Sequence, residues 1–562
     1  MIQFFVRRFQ RKPDGSVDEG GIAMVLVVIV IMLMTLIPLA LVQAAVGQLP
    51  LARYDQDHES ALAAAEAGVD DYMNRLAQNS NYWTYSATNP PTPANPAFTG
   101  WVKLSGPSTN GECFRYKADS SKTAASGIVY LTSSGKRLTT PSAGCSSAGV
   151  IRTVELGLRR QGFLDYLWLT DYEITDPALS GANASSCTFH AWEWNSGSNK
   201  YGPSDPSNCS VVYWTTLSVM NGPVHSNDGL YVCGAPTFNG DTDTYYNSAT
   251  SNNVANSKKF GGSGAVLNPL SCANAPVYAR NGDPAAGSIL PFPPANTSIK
   301  SQADTTLGGT GCLYTGPTTI TLLSTGKMNV TSTATKSTNT PGGCGTTGAT
   351  GCLKTSCTNL SLPANGVIYV QNVPSASTDP NHSTCSGSAC YGDVSISGTL
   401  NGQLTVASED DIDITGNLTY HQYPSGTDVL GLVADNDVAV VHAANTDVQD
   451  DLTIDAAIMS LNHSFYVQNW ASGGNAACSG THPCAIPGAH SLIINGVITQ
   501  KFRGPVGTFN GSTNPPTLTS GYNKSYTYDS RLKYLSPPYF LSPTQSAWIR
   551  ISYAEVTPNP AP

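Results

Sequence analysis

The chain has 562 residues, only 12% of them charged, and a net charge of −9 at neutral pH. That length allows two or three domains with cores of their own. No basic field exists beyond the first dozen residues, which argues against a nucleic-acid partner. The fourteen cysteines run from Cys113 to Cys484 with none in the first apolar run, and they read as extracytoplasmic disulfides. No C-x-x-C spacing occurs, so a zinc site is not indicated.

A short leader carries Arg7, Arg8, Arg11 and Lys12, then Gly20 and Gly21 directly abut an apolar run from Ile22 to Val42, broken only by Thr35 and Pro38. No charge occurs between Gly20 and Ala52, enough for a membrane-spanning helix. A secretory signal peptide fits less well, because its apolar region is typically about 7 to 15 residues. Beyond Pro50 the pattern changes. Leu51, Tyr54, His58, Leu62, Ala65, Val69, Tyr72 and Leu76 trace one face of a helix, with Asp55, Glu59, Glu66 and Asp70 on another. If the two halves are continuous, the helix is roughly 80 Å long at about 1.5 Å per residue. The basic leader and the acidic segment after Arg53 place the N-terminus in the cytoplasm and the remainder outside.

A basic leader, a Gly-Gly pair, and a helix half apolar and half amphipathic resemble the N-terminus of type IV pilins and pseudopilins. The AAAEAG run at Ala63 to Gly68 is similar to the segment of large PilX-type minor pilins. The resemblance implies that a prepilin peptidase cuts between Gly21 and Ile22. It also implies that the helix packs among other pilin subunits. The fifth mature residue, usually a glutamate that neutralises a neighbouring N-terminal amine, is Leu26 here. That departure speaks against ordinary incorporation in the shaft and favours a tip or initiating position.

In chain order, the reading expects a leader (1–21), the long helix (22–80), a small pilin-like antiparallel sheet (81–160), a loop-rich β region with insertions (161–365), a β-helix-like domain (366–553) and a Pro-rich tail (554–562). Four strands are expected near Trp101–Leu104, Cys113–Ala118, Gly127–Thr132 and Val150–Leu158, with SSGK at Ser133 to Lys136 as a turn. The segment VVYWTTLSVMNGPVHSNDGLYVCGAPTFNG has the turn pairs of solenoid corners. Residues 241–365 read as long, disulfide-pinned excursions. Between Gly366 and Phe509, short β-branched runs are separated by NG, ED, DN and NH pairs, as a right-handed parallel β-helix requires. An ordinary β-sandwich is the alternative. This stretch is also similar to a domain of unknown function in large pilus-associated surface proteins, through NHSFYVQNW and ITQKFRGPVGTF. AWIRISYAEV is expected to close the β domain. Cys352/Cys357, Cys385/Cys390 and Cys478/Cys484 are expected to staple local loops.

Chemistry-bearing clusters are few. Glu409, Asp410, Asp411 and Asp413 in ASEDDIDITGN have the residue types for polysaccharide cleavage or calcium binding, or form a solvated turn. His225 to Asp228 has acid-base residue types, or is a polar corner bonded to its own backbone. Arg503 is expected to pair with one of these acids. The combined expectation is a non-enzymatic minor pilin or pseudopilin, anchored in the membrane, whose large β domain is displayed for adhesion to a glycan or host surface. A membrane-tethered glycan-processing enzyme and a pilus-independent adhesin are the alternatives.

Overall fold

The structure is a computed structural model describing residues 19–79, 81–105, 111–121, 123, 127–190, 193–195, 200–201, 209–245, 257–258, 266–267, 276–280, 284–476, 481, 489–510, 517–544 and 548–556. It contains the apolar N-terminal helix, a small sheet with antiparallel pairing and a large all-β domain. The chain divides into two units, one formed by Met1–Asp119, Tyr130–Leu156 and Ser552–Pro562, the other by Ser120–Val129 and Gly157–Ile551.

Helix α1 spans Glu19–Gln78 without interruption, 60 residues including Pro38 and Pro50. Its lower half lies on a five-stranded sheet that begins with β1 (Val102–Lys103), β2 (Glu112–Asp119), β3 (Ile128–Leu138) and β4 (Gly149–Arg160). β1 with β2, and β2 with β3, are antiparallel. The buried stripe of α1 is Ala61, Ala64, Ala65, Val69, Tyr72 and Leu76, whereas Tyr54 is exposed. The small residues of AAAEAG have a specific use. A Cβ at Gly135 in β3 would overlap the Ala61 carbonyl and the Ala65 amide, so helix and strand touch backbone to backbone. Ser133 Oγ donates to the Ala65 carbonyl at 2.8 Å across the same contact. SSGK is therefore not a turn: Ser133 to Lys136 lie inside β3, and the small Ser133 and Gly135 make room for the helix. The acids of α1 face partners on the sheet. Tyr116 Oη donates to Asp71 at 2.7 Å, Arg152 lies 3.5 Å from Glu59, and Tyr553 bonds Glu66.

The last strand, Trp548–Val556, does not close the large domain. It is the outer strand of this sheet, beside β4. The large domain is thus inserted between the fourth and fifth strands of the sheet. The five cysteine pairs seen among the described residues include Cys352–Cys357 and Cys385–Cys390, as expected, with Cys113–Cys145, Cys187–Cys209 and Cys312–Cys344 at longer range. Cys478 and Cys484 lie outside the described residues.

In the large domain, short strands pair in parallel along three ladders. One ladder runs Cys312–Thr315, Val367–Gln371, Gln403–Ser408, Val429–Ala434, Leu452–Ser460, Ser491–Arg503, Trp168–Thr175, Val224–Ser226, Thr242–Thr244 and Ala285–Ala286. A second joins Thr318–Leu323, Val394–Leu400, Ile412–Tyr420, Val438–Val440 and Phe465–Val467. A third runs from Ser491–Arg503 through Asn523–Tyr528, Val219–Asn221 and Thr237–Phe238 to Val277–Tyr278. Antiparallel pairing enters where Lys327–Ser332 lies between Thr318–Leu323 and Cys357–Ser361. No boundary falls at residue 365, because Cys312–Thr315 pairs directly with Val367–Gln371. Residues 312–361, expected as excursions, instead supply the first strands of the stack.

The order of the first ladder is not the order of the chain. The chain enters at Trp168–Thr175, in the middle, and builds outward to Ala285–Ala286. It then crosses to the far end at Cys312 and builds back until Ser491–Arg503 docks on the entry strand. The crossing segment lies along the coils it passes. Leu290 exchanges hydrogen bonds with Asn227, and Asn296 Nδ2 donates to the Ser408 carbonyl at 2.6 Å. Ile299 and Ala303 of its short helix, Thr297–Ala303, bury against Val367, Tyr369, Ala407 and Val433. The interior is filled by Val, Ile and Leu of successive strands together with Trp168, Trp214, Phe238 and Tyr526.

Candidate functional site

Gly20, Gly21 and Ile22 fall in the first turn of α1. From Met24 to Gln43 the helix is apolar and uncovered, with mean hydropathy 3.2, and Leu26 is 58% exposed within it. A helix apolar all round with no protein against it needs lipid or other helices to cover it.

The acidic cluster resolves into a row. Val394, Ile412, Val438 and Phe465 are stacked in register, which aligns Asp393, Asp411, Asp437 and Ser464 just before them. Each carboxylate reaches the next coil: Asp411 Oδ1 accepts from the Asp437 amide at 3.0 Å and Asp437 Oδ1 from the Ser464 amide at 2.8 Å. Asp393 Oδ1 lies 3.5 Å from the Asp411 amide at the weak end of the series. Ser464 Oγ donates in turn to Asp176 Oδ2, which also holds His463 Nδ1 at 2.9 Å.

Of the four expected calcium ligands, Asp410 and Asp411 come together with Asp393, their oxygens within 4.8 Å of one another. A second such group is Asp176, Asp437 and His463. Asp393, Asp410 and Asp411 offer only carboxylate oxygens, the donor type calcium takes, whereas the second group includes an imidazole nitrogen. Glu409 does not join them. It pairs with Lys300 at 2.6 Å and accepts from the Asn372 amide, anchoring the crossing segment. Asp413 accepts from Gln468 at 2.9 Å instead. Asp410 is bonded to Asn436. The sequence reading missed Asp393, Asp437, Asp176 and His463. A signal for the first two was present: DVSI, DIDI and DVAV start three successive coils with the same Asp, apolar, any, apolar pattern.

Burial, reinforced by the neighbouring aspartates, raises the Asp393 carboxyl to about 6, and burial raises Asp437 to about 7. His463 is raised too, by its bond to Asp176. A raised pKa means the folded state holds its proton to higher pH than the unfolded chain, whose aspartates titrate near 3.9. Stability from these groups is therefore greatest below about pH 4 and falls as pH rises through 6 to 7. The thermal midpoint of the detergent-solubilised chain is expected to drop between pH 5 and pH 8. Asp437→Asn should flatten that slope; an unchanged slope would show that the row does not set it.

His225 to Asp228 is a buried corner. His225 Nδ1 is bonded to Asp243 and its Nε2 lies 3.0 Å from Asn227 Oδ1, while Asn227 ties Asp171 to Leu290. Arg503 pairs with none of the acids between 409 and 413. Its partner is Glu173 at 3.0 Å, and both are fully buried.

Residues 20–70 match the family model described as PilX N-terminal. Comparison with curated proteins returned no match. Among solved structures, the competence-associated pilin ComZ from Thermus thermophilus aligns with a TM-score of 0.24 at 12% identity, over 89% of this chain and 97% of that one. An alignment that loose supports no statement about the fold. The similarity is confined to the N-terminal segment, where residues 20–70 resemble the PilX N-terminal family.

Proposed function

We propose that this chain is a non-enzymatic minor pilin of a type IV pilus or a related filament, placed at the tip or in assembly initiation. The observation that carries the reading is the PilX match over residues 20–70, on a helix whose upper half is apolar and uncovered. In this reading a prepilin peptidase cuts between Gly21 and Ile22. The N-terminus starts in the cytoplasm, and other pilin subunits cover the exposed half of α1. Leu26 stands where the mature chain would otherwise carry its assembly glutamate. An insertion of nearly four hundred residues, Gly157–Ile551, is difficult to repeat along a close-packed shaft, which also favours a terminal position.

The large domain, in the same proposal, is a right-handed parallel β-helix displayed for adhesion to a glycan or host surface. Three parallel ladders support it, with the antiparallel strands between 318 and 361 as its end.

N-terminal sequencing tests the core of the proposal. Protein from cells with active peptidase should begin at Ile22 and protein from peptidase-deficient cells should keep residues 1–21; a leader retained in both overturns it. In labelled filaments of the same strains, Leu26→Glu should move the protein from rare or terminal positions into the shaft. An unchanged distribution removes the terminal placement.

A further inference from the structure

Arg503 is the largest charged side chain shut inside the β domain. Its Nη1 donates to Glu173 Oε2 at 3.0 Å and to the Val212 carbonyl at 2.6 Å. The Trp214 ring covers one face of the guanidinium, 3.8 Å from ring centroid to Cζ. The remaining edge, Nε and Nη2, is buried and bonded to nothing among the described residues. Those two N–H groups are parallel, the geometry that grips two oxygens of one oxyanion.

Glu173 already serves three donors. Its Oε1 accepts from Thr170, and Oε2 accepts from Trp214 Nε1 at 3.1 Å as well as from Arg503. A second cation is nevertheless present. Lys524 stands two residues from Tyr526 on strand Asn523–Tyr528, so the two share a face. They pair with Leu492 and Ile494, which point into the core. Among the described residues Lys524 has no hydrogen bond or ion pair; the charges acting on it are Arg503, which repels it, and Glu173. Lys524 is partly buried, keeping some of its surface accessible. Two further buried donors lack partners: Tyr526 Oη and Trp168 Nε1. Their rings stack with centroids 6.0 Å apart, and the Trp168 ring lies 5.7 Å from the Arg503 guanidinium.

Two cations, one carboxylate and several unused donors leave an uncompensated positive charge in a low-dielectric interior, which folding tolerates poorly unless a counter-charge is supplied. We propose that this is an internal anion site, in which a small oxyanion is gripped by Arg503 Nε and Nη2 and by Lys524, with Tyr526 and Trp168 donating from its aromatic wall. The anion joins the strand Ser491–Arg503 to the strand Asn523–Tyr528, next to the entry strand Trp168–Thr175. It is a structural ligand of the coil stack and is independent of any role in a pilus. Burial, with the Arg503 charge beside it, brings the Lys524 ammonium down to about 7.

The detergent-solubilised full chain tests this at constant ionic strength, with chloride replaced stepwise by inorganic phosphate in one arm and by acetate in the other. Desalted protein is also denatured and its released anions are measured by ion chromatography. The expected result is a saturable rise in the unfolding midpoint with at least one oxyanion, or about one equivalent of oxyanion released per chain. The arm that responds identifies a phosphate-type or a carboxylate-type ligand. Lys524→Met should weaken the response roughly tenfold, the worth of a charged hydrogen bond. Tyr526→Phe, which removes one hydroxyl and keeps the ring, should weaken it less and guards against misfolding of the first variant. A midpoint that is indifferent to both oxyanions with no anion released, or the same response in wild type and both variants, overturns the site.

Discussion

Gly135→Val is expected to destabilise the N-terminal unit by about 3 kcal/mol, the upper end for overpacking. The usual escape in an overpacked core is a rotamer change in a neighbouring side chain. Here the atoms in the way are the Ala61 carbonyl, the Ala65 amide and the Ala64 carbonyl carbon, all backbone within an unbroken helix. Relief requires lifting α1 from β3, which breaks the Ser133 to Ala65 bond and uncovers Val69, Tyr72 and Leu76. Protease sensitivity of the helix below Arg53 and a lowered unfolding midpoint would report it. Gly416→Ala is the control, because a Cβ there meets only Ser397 Cβ at 3.6 Å. If both substitutions behave alike, the backbone contact is not what holds the helix down.

Glu173→Ala is expected to cost about 3–5 kcal/mol, because it strands a buried guanidinium. Its carboxylate also accepts hydrogen bonds from Thr170 and Trp214, so three donors lose their partner at once. The paired change Glu173→Leu with Arg503→Met should recover most of the loss, since removing both charges removes the desolvation cost with them. The comparison is read by thermal or denaturant unfolding. A double variant as unstable as Glu173→Ala would show that shape, not charge, decides the site.

What the sequence disclosed follows from the range of the interactions. α1 was legible because hydropathy and helical periodicity are local, and the uncharged run from Gly20 to Ala52 needs no partner to be recognised. The β-branched runs after Gly366 were legible as stacked strands for the same reason. The docking of Trp168–Thr175 on Ser491–Arg503 was not, since the residues that meet there, such as Glu173 and Arg503, are 330 positions apart. The acid row was half visible. Asp410 and Asp411 advertise themselves as neighbours, whereas Asp393 and Asp437 reach the same row only through coil lengths of 18 and 26 residues. SSGK misled because small polar residues mark close backbone approach as well as turns, and only the helix lying on β3 distinguishes the two. AWIRISYAEV has an ordinary strand pattern that does not say which sheet it joins.

The insertion of the large domain has a consequence in time. β4 ends at residue 160, but its outer neighbour, Trp548–Val556, is made nearly four hundred residues later. Throughout that interval β4 presents an open hydrogen-bonding edge, the kind that recruits strands from other chains. The entry strand Trp168–Thr175 waits as well, with one flank uncovered until Ser491–Arg503 has been made. Neither unit can therefore be sealed against its neighbours until these late strands are in place.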